Sequence, residues 1–102
     1  MKKVINGKIY DTETAEWIGE YSNHLGNSDF RHVYEDLYRT TKGVFFIDYD
    51  GGSYTKYAVY EGNVSYGSCG IVPISDEEAK QWCEDHVEAD QYIKIFGSPE
   101  EA

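Results

Sequence analysis

Turn-forming clusters interrupt the first two thirds of this chain at short intervals: Asn6-Gly7, the "SNHLGNSD" loop from Ser22, Thr41-Lys42-Gly43, Asp50-Gly51-Gly52 and Glu61-Gly62-Asn63. Between them lie short runs rich in Val, Ile, Phe and Tyr. Such punctuation suits strands joined by tight turns and leaves little room for long helices. The firmest single signal is "KVINGKIY", Lys3 to Tyr10, where Asn-Gly tolerates the positive φ angles of a two-residue hairpin turn. A hairpin is therefore expected over residues 1–10. Aromatic and β-branched runs near 32–40, 44–49 and 54–60, with a further extended piece near 64–74, predict an antiparallel meander over 32–74. Pro73 cannot donate to a ladder, which places that last piece at a strand end or a sheet edge.

Two segments read as helical. In "DTETAEWIGEYSN", Thr14, Trp17, Ile18 and Tyr21 recur at i, i+3, i+4, i+7 behind the possible caps Asp11 and Thr12, which predicts an early helix over 12–22. The C-terminal third predicts two helices over 76–97. Ser75 and Glu78 make a capping box, and Ala79, Trp82, Cys83 and His86 form an apolar stripe. A second stripe, Ala89, Tyr92, Ile93 and Phe96, ends at Gly97, with Pro99 blocking continuation and residues 98–102 left as a tail. The expectation is one α+β domain over 1–102. Its mostly antiparallel sheet, an N-terminal hairpin plus the meander, is packed by the early helix and a C-terminal helix pair.

The 102 residues hold 19 acidic against 9 basic side chains, a net charge of −10, with 40% apolar and 16% aromatic residues. That apolar content supports a packed core. The charge disfavours phosphate backbones and anionic membranes as direct partners and favours basic surfaces, the commonest of which belong to proteins that handle nucleic acid. No apolar run approaches the length of a membrane span, and Asn6 and Gly7 interrupt any leader-like segment after "MKK". A soluble cytoplasmic protein with reduced Cys69 and Cys83 is expected.

The negative charge is concentrated: nine acidic and two basic residues fall from Ser75 onward. The apolar stripe of the first C-terminal helix would leave Glu77, Glu84, Asp85 and Glu88 outward, with Glu77 and Glu84 roughly 10 Å apart along the axis. Glu13, Glu16 and Glu20 would form a second acidic patch on the early helix. An unspecific wet face is the ordinary reading of such rows. Glu84, Asp85 and Glu88, however, lack the i, i+4 bases that usually support a solvated helix. A rigid row of carboxylates can instead imitate a phosphate backbone.

Other chemistries find less support. Cys69, Cys83 and His86, with His24 or His32, offer soft ligands for zinc but no paired-cysteine spacing. Cys69 in "YGSCGI" could be a thiolate nucleophile beside His32 or His86, yet glycine-flanked cysteines are common in loops. "DYDGGSY" from Asp48 fails as a calcium loop because Val59 stands where a bidentate Glu is required. The tyrosines of the meander, Tyr34, Tyr38, Tyr49, Tyr54, Tyr57 and Tyr60, read first as cross-strand packing and second as a contact face. No cofactor is implied.

The segments "LYRTTKGVFFIDYDGG" and "IVPISDEEAKQWCEDHVEADQYIKIFG", together with the "KVINGKIYDTETA" opening, resemble small proteins of Gram-positive bacteria and their mobile elements. As a class, small acidic proteins from that setting are similar to inhibitors of host defence such as anti-CRISPR and anti-restriction proteins. The resemblance implies no catalytic residues. The expectation is a non-enzymatic inhibitor that binds the basic, nucleic-acid-handling surface of a defence effector. The alternative is an adaptor that binds a protein through an aromatic sheet face.

Overall fold

The computed structural model describes all 102 residues and gives the α+β architecture. Strands β1 (Lys2–Ile5) and β2 (Lys8–Asp11) form the N-terminal hairpin, with Asn6 at φ 51° and Gly7 at φ 77° in its turn. The central sheet is antiparallel, in the order β3 (Glu16–Ser22), β4 (Val33–Arg39), β5 (Phe45–Gly51) and then a late strand, Ser68–Ile74. Between β5 and that strand, β6 (Val59–Glu61) and β7 (Val64–Tyr66) pair only with each other. The late strand is β8. Helices α1 (Asp76–His86) and α2 (Ala89–Phe96) close the chain, and Gly97 caps the second at φ 88°. No helix is long and apolar enough to cross a membrane.

Two expectations from the sequence are corrected. The early helix over 12–22 is a strand: β3 pairs with β4 from Glu16↔Arg39 to Ser22↔Tyr34. A bulge explains the misleading periodicity. Trp17 opposes Tyr38 and Gly19 opposes Leu37, so Ile18 has no opposite number and the inward phase shifts by one residue. Ile18 and Tyr21 thus pack on the core three residues apart, a helix-like spacing produced by a strand. The second correction concerns 54–60. Residues up to Ala58 form turns, and β8 rather than this run supplies the fourth strand of the sheet.

Alternation divides the sheet into two dry clusters, one per face. On the helix side, Ile18, Leu37, Phe45 and Ile47 meet Ala79, Trp82 and Cys83 of α1, as the capping-box stripe requires. Helix α2 adds Tyr92, Ile95 and Phe96, while Ala89 and Ile93 of the expected stripe face outward. On the other side, the N-terminal hairpin lays Tyr10 across Phe46 and Ile71, with Tyr38 stacked on Phe46. The hairpin covers one end of that face only. What remains is an open sheet surface, and the molecule is a slab measuring 47 × 35 × 20 Å.

Candidate functional site

The open sheet surface carries an acidic row that follows directly from register. Glu20 lies opposite Asp36, and Asp36 lies opposite Asp48, so three adjacent strands present carboxylates side by side. At about 4.8 Å between strands, the row spans roughly 10 Å. Asp50, two residues along β5, extends the same face. Cross-strand like charges are destabilising, and the Asp48 carboxyl records it. Burial first, then the Asp36 and Asp50 charges, raise its pKa, with the N-terminal ammonium opposing. The exposed Trp17 borders the row and donates its indole N–H to Asp36 at 3.1 Å.

The helix acids divide. Glu77 and Glu84 are exposed on the outer side of α1, whereas the exposed Glu88 lies beyond its end, as the N-cap residue of α2. Asp85 turns toward the sheet flank, where it accepts a hydrogen bond from Gln81 at 3.0 Å. None of these four lies within ion-pair distance of a base. The second acidic patch dissolves, because β3 is a strand. Glu13 sits in the turn after β2, and Glu16 pairs with Arg39 at 2.7 Å on the helix side. Glu20 points to the opposite side. The helix row and the sheet row therefore occupy opposite faces of the slab.

Sequence reasoning missed a buried carboxylate. Glu35, only 3% exposed, accepts from the Trp82 indole at 3.0 Å and from the Tyr57 hydroxyl, and pairs with Lys56 at 2.9 Å. Burial alone would lift its pKa, but the bonds from Tyr57, Lys56 and Trp82 together outweigh burial and hold it below the usual carboxylate range. Tyr57, half-buried beside this anion and stacked on Tyr49, has its hydroxyl pushed far above the usual range. One signal was present in the sequence: in "VYEDLY" Glu35 shares the inward phase with Val33 and Leu37, whereas Asp36 does not.

The sulfur and imidazole groups do not converge. Cys69 is exposed on the open-face side opposite Asp50, whereas Cys83 is buried on the inner face of α1 against the sheet, its thiol pushed up to about 11 by burial. His86 stacks on Tyr21 at 4.1 Å. His32 uses both ring nitrogens, one on the Asp29 carbonyl at 2.7 Å and one on Asp50 at 3.0 Å, leaving none to take a proton from Cys69. No family model, characterised protein or solved structure matches the chain.

Proposed function

We propose that this protein is a stoichiometric inhibitor of a bacterial defence effector, encoded by a mobile element and acting in the cytoplasm. It binds the effector's basic nucleic-acid-handling surface by charge mimicry and performs no chemistry itself. The observation that supports this reading best is the row Glu20–Asp36–Asp48. Carboxylates set directly opposite one another cost stability in a sheet, and a surface kept for solubility alone would intersperse bases among them. The unpaired Glu77, Glu84 and Glu88 offer a second row on the reverse face, and each flat face fits a shallow groove separately.

The test is a plating assay in a Gram-positive host with an active restriction or CRISPR system, scoring phage survival with and without the chain. Wild type is expected to restore plating. Glu20→Lys combined with Asp48→Lys should abolish the effect if the sheet row engages, and Glu77→Lys with Glu84→Lys if the helix row does. Affinity for the effector should fall by about tenfold or more between low and high salt. Full activity in both double variants, or salt-independent binding, would overturn the reading.

A further inference from the structure

The two edges of the central sheet are treated differently. Strand β3 is bulged at Ile18, and the Ile18 carbonyl is capped by the Gln91 side chain at 2.8 Å. Bulges and covering groups are the usual protection of an edge strand. Strand β8, the opposite edge, is neither bulged nor capped by a hydrogen bond along Cys69–Pro73, although Ile71 itself is buried beside Tyr10 and Phe46. Pro73 opposes Phe46 and cannot donate, so that pair is not hydrogen-bonded and the ladder donors of β8 are the alternate residues, Val72 and Gly70. The N–H groups of Cys69 and Ile71, and the carbonyls of Cys69, Ile71 and Pro73, therefore point away from β5. None of them has a backbone partner elsewhere in the fold.

Beside this free edge, on the helix side, the cover is incomplete. A cleft of about 440 Å³ separates α1 from the β5–β8 half of the sheet. Its floor is Ile47, Val72 and Ile74, and the Glu35–Lys56–Tyr57 cluster lines it as well. Its α1 wall carries Glu78, Gln81 and Asp85, residues that share one flank of the helix because positions 78, 81 and 85 repeat at i, i+3, i+7. The one lysine here is already matched by Glu35, so the wall carboxylates leave the cleft negative.

We infer that the β8 edge and the cleft beside α1 form a docking site for an extended, basic polypeptide segment. Its backbone continues the sheet by pairing with Cys69 and Ile71, and its alternate Arg or Lys side chains enter the cleft. Residues two apart in a strand fall on one face about 6.8 Å apart. Glu78 and Asp85 are about 10.5 Å apart along the helix, within reach of two such long side chains. The aliphatic stems would lie on Val72 and Ile74 while the cationic heads meet the carboxylates. Main-chain pairing supplies affinity, and the cleft selects the charge. This site is separate from the acidic row on the opposite face and stands or falls independently of the mimicry proposal.

The probe is a blocked heptapeptide alternating arginine and threonine, compared by NMR with an equally charged peptide in which each threonine is proline. The first peptide should slow exchange of the Cys69 and Ile71 amides by about tenfold or more at saturation. It should shift resonances along β8 and the Gln81–Asp85 flank, and bind several-fold more weakly to Asp85→Lys, an exposed change that leaves the core untouched. The proline peptide, unable to complete the ladder, should bind at least about tenfold less tightly. Equal binding of the two peptides, shifts centred on Glu20 and Asp48, or unchanged exchange at Cys69 and Ile71 would each overturn the inference.

Discussion

His32 is held between two acceptors, the Asp29 carbonyl and the Asp50 carboxylate, and only the doubly protonated ring can donate to both. The hydrogen bond to Asp50, then that to Asp29, raise its pKa. A raised cationic group contributes stability that is fully present below its unfolded value, about 6.5, and is lost as pH rises through the folded value. Thermal stability should therefore decline above about pH 6.5, and Asp50→Asn should flatten that decline and lower the His32 midpoint seen by NMR. Glu35 works in the opposite sense. Its depressed pKa means its contribution is present above the unfolded value and disappears as pH falls through the folded one. Replacing it by alanine strands the buried Trp82 N–H and should cost about 3 kcal/mol in denaturant unfolding. A loss below about 1 kcal/mol would show that the cluster is not holding β4, the Lys56–Tyr57 turn and α1 together.

At the scale of elements, the bulge in β3 is a fitted feature. Gly19 passes so close to the end of α1 that a Cβ there would sit 2.8 Å from Val87 Cγ1. Gly19→Ala is expected to destabilise by about 1–3 kcal/mol, and Val87→Ala in the same chain should recover part of that loss in a double-mutant cycle. The acidic row predicts the reverse sign. Asp48→Asn removes one member of a repelling set and should stabilise by about 0.5 kcal/mol at neutral pH and low salt. The gain should shrink as pH falls and Asp48 itself protonates; a destabilised variant would show the repulsion to be offset elsewhere. These same elements mark the limits of sequence reading. The Asn6-Gly7 hairpin, the Ser75–Glu78 capping box, the α1 stripe and the edge position of Pro73 rest on neighbouring residues and were legible. The β3 strand was not, because one inserted residue at Ile18 turned alternation into a helix-like repeat. Nor was the departure of Tyr54–Ala58 from the sheet legible, since Tyr57 leaves to bond Glu35, a partner 22 positions away. The acidic helix residues could be named in advance, whereas the row on the sheet needed register, which no local signal carries.

The whole molecule is flatter than its length suggests: its radius of gyration is 14.9 Å, where about 13 Å is usual for such a chain. Like charges thus spread over two broad faces, with four lysine or arginine ion pairs against a net charge of −10. Screening should relieve repulsion more than it weakens those pairs. The melting temperature is expected to rise by a few degrees from about 0.02 to about 0.5 M salt; a fall would mean that local pairs dominate. The slab also separates its two thiols. Cys83 lies buried between α1 and the sheet, whereas Cys69 stands exposed on the free margin of β8. A maleimide dye added at neutral pH should therefore couple at one place only, giving the native chain a fluorescent reporter on the very strand where a visiting segment would align.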